Sequence, residues 1–430
     1  MKAGFARRCI TPPLGTTMMG FATRDREHGC AGIHDDLYVR ALFVEHGGAA
    51  ALIMGFDLCF LGRADTDRLK DAIGHRLHLT PKQILLNASH THVGPSVGTW
   101  AYAGYEPPDT RYLNDLEAAT VTAAVEAAGR AADATLHCGA VHTTVPMNRR
   151  GRGADGAIAN CPNPGGPIYD SIPVCEFRNK HDKPITFLFS VSCHPSIISG
   201  FDISAEYPGA AMEYLDAHFG GPVSMFLQGA GGDSKPAHIG GNIPRWRVGT
   251  WDDVKAVGEI AAREALSALE EGLTEVTPHI VTAMVETYWS LNPPMDRAGY
   301  AAEMDTDYEL RRLWAERMIQ RLDRDGALPT HAPITVQGIQ LGEGLRFIGV
   351  EGELVAELGR LVRDFFHAGV TFPLGYTNGE GLYLPTSKML DEGGYEAVSF
   401  WEYGFPSPLA KGIEDHLTHA LDHLRTAGIR

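Results

Sequence analysis

The chain has 430 residues, 44% of them hydrophobic, which is enough apolar material to bury one large core or two modest ones. Its formal net charge is -16, which argues against a nucleic-acid partner because phosphate binding requires a basic face. No cluster of Lys and Arg predicts binding to anionic lipid, and no stretch is apolar over enough residues to span a membrane.

The N-terminus and the cysteine count bear on the cellular compartment. Residues 1–8 run directly into Thr11-Pro12-Pro13 without an apolar segment, so a secretory signal is not expected. The seven cysteines include no CxxC pair, and their odd number suits reduced thiols better than a disulfide framework. The sequence therefore predicts a cytoplasmic protein without a membrane anchor.

The first predicted elements are a strand pair and a βαβ unit. Strand 37–45 and the fully apolar strand 50–57 flank a short glycine turn. A helix over 65–79, with apolar residues at i+4 spacing, then crosses over to the short apolar strand 83–86. A crossover of this kind implies parallel pairing between the two strands that it joins.

The remainder of the chain alternates between strands and helices. The later strands are predicted at 185–192, 223–228, 278–290, 334–340, 345–350 and 370–376, and the helices at 113–132, 207–219, 252–270, 305–325, 354–366 and 409–424. Residues 143–172 are dense in Gly, Pro and Asn and are predicted to form a long irregular loop. No internal repeat or linker is apparent. We therefore predict a single α/β domain over 1–430, with a mixed, partly parallel β-sheet core and flanking helices.

Several of the apolar strands end in a side chain that can ionise or bind a metal. These side chains are Asp57, the His-x-His pair His90 and His92, His194 before a proline, and Glu353. Ligands of α/β sheets bind at the carboxyl ends of strands. Two His and one carboxylate form a known catalytic zinc set, in which the fourth position is left for water.

The His-x-His spacing constrains the two roles. Residues i and i+2 point to opposite sides of a strand, so both imidazoles face one pocket only if the backbone leaves β geometry at Thr91. The spacing thus favours one direct metal ligand and one neighbour with a second role.

Short motifs along the whole chain resemble the catalytic domain of the neutral, non-lysosomal ceramidases. They occur in the family's order and are Met18-Met19-Gly20-Phe21, Gly32-Ile33-His34, residues 87–95, Asn148-Arg149, residues 191–195, Gly352-Glu353, Asn378 with Tyr383, and Tyr395-Glu396. The resemblance implies one Zn²⁺ per chain with four protein ligands, which are His90, His194, Glu353 and Tyr383. It also implies three residues around the substrate carbonyl, which are His92, Arg149 and Tyr395.

The sequence departs from the family in two places. The family's Gly-Asp-x-Ser-Pro segment, with its proposed serine nucleophile, reads here as Gly232-Asp233-Ser234-Lys235-Pro236, so Lys takes the serine position. Water is therefore the expected nucleophile, and His92 or Asp57 is expected to move the proton. No immunoglobulin-like C-terminal domain is expected.

We therefore predict a zinc-dependent amidohydrolase that cleaves a linear amide, or an ester, of a small-molecule substrate. Residues 149–156, which are basic and nearly free of large apolar side chains, predict a polar pocket wall unsuited to long-chain ceramide. Trp100, Phe400 and Trp401 are the candidates for an apolar lining that would oppose this interpretation.

Two other functions remain open from the sequence. One is a two-metal phosphoesterase built from five strand-end groups, which are Asp57, His90, His92, His194 and Asp233. The other is a zinc-stabilised binding protein whose fourth ligand, Tyr383, closes the site. The acyl group, the leaving group and the oligomeric state, a homo-oligomer included, are not determined by the sequence.

Overall fold

The structure, a computed structural model, describes residues 1–25, 28–97, 109–241 and 245–430. The strands in this part of the chain are β1 (Lys2–Cys9), β2 (Gly32–Ile33), β3 (Tyr38–His46), β4 (Ala49–Phe56), β5 (Ile84–Ala88), β6 (Ala132–His142), β7 (Pro146–Arg152), β8 (Ile158–Asn163), β9 (Ser171–Asn179), β10 (Pro184–Val191), β11 (Asp202–Ile203), β12 (Ser224–Gln228), β13 (Ser234–Pro236), β14 (Thr274–Glu275), β15 (Pro278–Ser290), β16 (His331–Gly342), β17 (Leu345–Val350), β18 (Glu353–Leu354), β19 (Val370–Leu374) and β20 (Tyr383–Leu384). The helices are α1 (Arg63–Leu77), α2 (Thr110–Gly129), α3 (Glu206–Phe219), α4 (Trp251–Glu271), α5 (Arg297–Glu303), α6 (Glu309–Asp325), α7 (Ala356–Phe365), α8 (Ser387–Glu392), α9 (Tyr395–Val398) and α10 (Ile413–Thr426).

Most of the long strands belong to three units that share one topology. In each unit three strands pair antiparallel in chain order, and a crossover helix then leads to a fourth strand that pairs parallel with the third. The units are β1-β3-β4-α1-β5, β6-β9-β10-α3-β12 and β15-β16-β17-α7-β19. A long helix, α2, α4 or α10, follows each unit and packs on its first two strands. No repeat is apparent in the sequence, because the units repeat a topology rather than a residue pattern.

The units build four layers. The first two units join through β1 and β6 into a nine-stranded sheet, and the third unit forms a four-stranded sheet. One face of each sheet packs against the other sheet, with Leu42, Ile53, Phe347 and Phe372 fully buried between them. The opposite faces pack on helices, because side chains alternate between the two faces of a strand. Each such buried Leu, Ile or Phe contributes about 1.5–3 kcal/mol.

The carboxyl ends of the three fourth strands meet at one place. Asn87, at the end of β5, is fully buried; its Oδ1 accepts from the backbone N–H of Gln228 at 2.7 Å, and its Nδ2 donates to the carbonyl of Gly375 at 2.8 Å. Backbone bridges also join Asn87 to Thr377 and Gly229 to Leu374. The loops that leave β5, β12 and β19 are therefore held side by side, at the edge where a ligand site is expected.

The predicted elements can be compared with the observed ones. The mixed, partly parallel sheet with flanking helices is confirmed, as is the crossover from β4 to β5 through α1. The prediction of an irregular loop over 143–172 is wrong, because β7 and β8 pair there and β7 also pairs with β13. The predicted helix over 305–325 is observed as α6, which begins at Glu309, and a short helix that was not predicted, α5, precedes it. None of the helices that the structure describes is long and apolar enough to cross a lipid bilayer.

A buried lysine between α1 and the second sheet makes stability depend on pH. Lys70 is 3% exposed and donates to Gln337 Oε1 at 3.2 Å. Burial lowers the pKa of Lys70 to about 7 from its usual 10.5, although Asp67 and Glu351 partly oppose the shift. Between these two values the unfolded chain binds more protons than the folded one. The free energy of unfolding should therefore rise with pH across this window, by up to about 1.4 kcal/mol per pH unit.

The substitution Lys70→Met should remove this contribution to the slope. Urea unfolding of the natural chain and the variant at pH 7, 8.5 and 9.5 measures it. The exposed Lys255 on α4 supplies the control, because Lys255→Met should leave the slope unchanged. Parallel pH profiles for the natural chain and Lys70→Met would contradict the assignment.

Candidate metal centre

Three of the predicted metal ligands, one from each topological unit, meet in the interior. His90 follows β5, His194 follows β10, and Glu353 follows β17. Their ligand atoms all lie within 4.8 Å of one another. Oε2 of Glu353 is 3.1 Å from Nε2 of His194 and 3.5 Å from Nε2 of His90. All three side chains are buried.

The two imidazoles are oriented by the backbone. Nδ1 of His90 lies 2.9 Å from the carbonyl of Cys59, and Nδ1 of His194 lies 2.7 Å from the carbonyl of Gly231. Each Nδ1 must carry the hydrogen to donate there, which leaves each Nε2 with a free lone pair. Burial lowers the pKa of His90 to about 4, and burial together with Arg149 lowers the pKa of His194. Both rings are therefore neutral at pH 7 and able to bind a metal.

The carboxylate ligand is held by residues that the sequence analysis did not identify. Tyr403 donates to Oε1 of Glu353 at 2.6 Å, and Tyr376 donates to Oε2 at 3.1 Å. Burial and the charge of Glu353 raise the pKa of Glu380 well above its usual value. Burial disfavours the charge on Glu353 as well, but His90, His194 and a hydrogen bond from Glu380 hold the pKa of Glu353 well below its usual range. These interactions favour the ionised form of Glu353 and the protonated form of Glu380.

The fourth predicted ligand, Tyr383, lies beside this cluster. The short parallel pairing of β18 with β20 sets Tyr383 opposite Glu353. Oη of Tyr383 is 3.2 Å from Nε2 of His194 and accepts a hydrogen bond from Nη2 of Arg149 at 2.9 Å. Two neutral imidazoles, an ionised carboxylate and a phenol form a nitrogen and oxygen donor set of the kind that zinc prefers. These residues therefore fit a zinc ion.

The second histidine of the His-x-His pair faces the same space. Nε2 of His92 is 3.1 Å from Nε2 of His90. β5 ends at Ala88 and φ of His90 is +66°, so the backbone has left β geometry before Thr91, where the spacing placed the change. A positive φ is uncommon for His, and its presence at a ligand is typical of a strained functional site. Nδ1 of His92 is buried and has no hydrogen-bond partner among the described residues.

A glycine makes room for His92. Gly20 has φ +113°, and a Cβ on it would lie 2.5 Å from Cα of His92. The ring of the next residue, Phe21, contacts the His92 ring edge-on at 4.8 Å between centroids. The Met-Met-Gly-Phe motif thus has a packing role at the rim of the site.

The two other residues predicted around the carbonyl also lie at the site. Arg149 on β7 donates from Nε to Oε1 of Glu396 at 2.8 Å, and its Nη1 is 3.2 Å from Nε2 of His194. Tyr395 packs on the Tyr383 ring, and its hydroxyl donates to Glu402 at 2.7 Å. Arg149 therefore points two donors into the centre, whereas the hydroxyl hydrogen of Tyr395 is already engaged.

A cavity of about 170 Å³ opens onto these groups. The predicted site residues that line it are His90, His92, Arg149, Glu353, Tyr383 and Tyr395. Trp100 lies outside the described residues. Phe400 and Trp401 pack instead against the cluster around Trp314 and Tyr300. Among the described residues, then, the apolar wall comes mainly from Met19, Phe21 and Phe60.

Two solved structures share this architecture across 99% of the chain. Neutral ceramidase from Pseudomonas aeruginosa has a TM-score of 0.74 at 16% sequence identity, and 74% of its own chain is covered. The chain has a neutral ceramidase-like fold. A ceramidase complexed with C2 gives a TM-score of 0.75 at 16% identity, with 75% of that chain covered. No family model and no curated relative matches the sequence.

Within this ceramidase-like fold, two predicted carboxylates lie apart from the cluster. Asp57 accepts from Nη1 of Arg40 at 2.7 Å and from the backbone of Tyr38, and it does not line the cavity. Asp233 accepts from Asn148 at 3.0 Å and from the first amide of α7 at 2.8 Å. The five residues of the two-metal alternative are therefore not brought together. Asp57 acts as the counter-ion of a buried Arg rather than as a cavity group.

Proposed function

We propose that the protein is a zinc-dependent amidohydrolase that cleaves an amide, or an ester, of a small-molecule substrate. The observation that supports it best is the cluster of His90, His194 and Glu353, whose free donor atoms meet where a cavity also presents Arg149 and His92. The ceramidases that share the fold act on an amide, which agrees with this reaction class. One zinc ion per chain would be held by these three residues and Tyr383.

The roles of the chain's own residues follow from their contacts. When bound, zinc would supply Lewis-acid chemistry, lowering the pKa of water to about 7 and polarising a carbonyl. Nε2 of His194 would then serve the metal, so Nη1 of Arg149 would donate to the substrate oxygen instead. His92 is neutral, because burial and the two neighbouring His residues lower its pKa well below 6.5, and it can donate to the same oxygen. Tyr395 can donate to the substrate oxygen only if its hydroxyl gives up the hydrogen bond to Glu402.

Proton transfer and nucleophile choice also follow from the cavity lining. Of the two groups predicted to move the proton, His92 lines the cavity and Asp57 does not. Ser234 is fully buried and does not line the cavity, because β13 turns Ser234 inward and the adjacent Lys235 outward. Water is therefore a better-placed nucleophile than Ser234.

The size of the cavity bears on the substrate, and a rate comparison tests the proposal. A cavity of about 170 Å³ suits a short acyl group, so short N-acyl polar amines should be cleaved with a kcat/KM at least tenfold above that of a fluorescent long-chain ceramide. Zinc-loaded and chelator-treated protein should be assayed in parallel. Turnover that survives metal removal would contradict zinc dependence, and a preference for the long-chain ceramide would contradict the small-substrate class.

One observation favours a second candidate, a zinc-stabilised binding protein. Tyr383 places its Oη beside the three other donors and would close a four-ligand site, as in structural zinc centres. Turnover of any amide by the zinc-loaded protein would exclude this candidate. Two zinc ions per chain would favour a two-metal enzyme over both.

A further inference from the structure

Lys235 is a cation in the wall of the cavity. It lies on β13, opposite Met147 of β7, and lines the same cavity as His90 and Glu353. Its Nζ lies over the Trp246 ring at 5.3 Å from the centroid. The indole of Trp246 is itself fixed, because Nε1 donates to Asn160 Oδ1 at 3.0 Å. The ammonium group is therefore held at the cavity by an aromatic face.

No described carboxylate forms an ion pair with Lys235. The acid that raises the pKa of Lys235 is Glu206, whose oxygens accept from the backbone amides of Ile198 and Tyr207 at 3.1 and 3.2 Å. Burial and Arg149 lower the pKa of Lys235 to about 8, so it is mostly charged at pH 7. A mostly buried ammonium without a counter-ion is costly, and a bound anion would relieve that cost.

Two further polar groups in the same cavity lack partners within the described chain. Oγ of Ser196 and Nδ1 of His92 are buried without a hydrogen-bond partner, and both residues line the cavity. Buried polar atoms are nearly always hydrogen-bonded, and the Ser196 hydroxyl has a hydrogen to donate, so its sharing a cavity with an unpaired cation indicates a missing acceptor. Charge-assisted hydrogen bonds to such an acceptor would be stronger than those between neutral groups.

We propose that Lys235, assisted by Ser196, binds a carboxylate on the substrate and makes the enzyme selective for N-acyl amino acids. This rests on the proposed amidohydrolase function and names its substrate class. In an N-acyl α-amino acid the carboxylate is carried by the carbon next to the amide nitrogen. A small cavity can therefore present the amide carbonyl to the metal ligands and the carboxylate to Lys235 at the same time. Lys235 is a specificity-determining residue in this arrangement, and the hydrolysis itself uses the metal ligands, Arg149 and His92.

The test compares matched substrates on the zinc-loaded protein. Each short N-acyl amino acid is paired with its carboxamide, which keeps the scissile amide and removes only the negative charge. The natural chain should prefer the carboxylate by about 10- to 100-fold in kcat/KM, the range expected for a charge-assisted hydrogen bond. Lys235→Met should remove that preference by lowering kcat/KM for the carboxylate alone. Lys235→Arg should restore part of it, and the exposed Lys255→Met is the control.

The outcomes separate the two proposals. If the natural chain cleaves both members of a pair equally well, the carboxylate assignment is overturned and the amidohydrolase function stands. If it cleaves neither, the proposed function fails, and calorimetric binding of the N-acyl amino acid then decides the assignment. The carboxylate assignment is supported if the carboxylate binds more tightly than the carboxamide and Lys235→Met loses this difference. Equal binding of the two overturns the assignment.

Discussion

His194→Ala should lower the zinc affinity of the protein more than about 100-fold and abolish hydrolysis. Loss of a residue that hydrogen-bonds to a metal ligand typically lowers metal affinity about 10- to 100-fold. Loss of the ligand itself should lower the affinity further. His194 presents a free Nε2 lone pair 3.1 Å from Glu353, and without it the site keeps only one imidazole. Zinc content after dialysis against a weak chelator, and the rise in melting temperature on adding zinc, measure the loss.

The control for this prediction must separate ligand loss from misfolding. His194→Gln keeps an amide that can donate to the carbonyl of Gly231, so it should fold while still losing zinc. His90→Ala should behave as His194→Ala does. His142 on β6 is 68% exposed, and His142→Ala should keep one zinc per chain. Full zinc occupancy in His90→Ala or His194→Ala would refute the ligand assignment.

Arg149→Met should lower kcat by about 100- to 1,000-fold and leave the zinc content unchanged. Removing a single donor to a developing oxyanion typically costs that much. Arg149 is buried beside the candidate metal centre and directs Nη1 and Nη2 to His194 and Tyr383, so its charge faces that centre. Because the interaction strengthens in the transition state, kcat and kcat/KM should fall together. Arg149→Lys should recover little, since Lys lacks the planar fork of two donors.

The neighbouring residue is a matched control for Arg149. Arg150 binds the other oxygen of Glu396 at 2.6 Å but does not line the cavity. Either single substitution leaves Glu396 paired with the remaining Arg, so neither variant leaves the buried carboxylate without a partner. Arg150→Met should therefore reduce stability without a comparable fall in kcat. Equal rates for the two variants, or a kcat for Arg149→Met within threefold of the natural chain, would exclude an oxyanion role.

Apolar runs in the sequence were sufficient to predict the strands and the convergence of their carboxyl ends. The apolar runs before Asn87, Cys193 and Glu351 are continuous because these strands are covered on both faces, and such runs are visible in sequence. The short β7–β8 hairpin was not visible, because it is stabilised by pairing with the distant β13 rather than by its own composition.

The side chains that surround the candidate ligands could not be predicted from the sequence. Asp57 and Glu353 both end an apolar strand, and what separates them is a buried Arg40 beside the first and two imidazoles beside the second. Glu380 and Tyr403 meet Glu353 only through the fold, across 27 and 50 residues of chain. Glu380 lies between the motif residues Asn378 and Tyr383, and this position in the sequence could have indicated that Glu380 belongs to the site.

Each topological unit supplies one candidate ligand, and this affects the order in which the protein folds. Each unit can form largely from contacts within its own stretch of chain, whereas the ligands are separated by about 100 residues or more. Closing such long loops is entropically unfavourable until the units have docked, so the site cannot form early in folding. Metal uptake would then be a late event, in which a bound ion would join residues from all three units. Because the cavity opens onto His90 and Glu353, an ion could still enter after the units have docked.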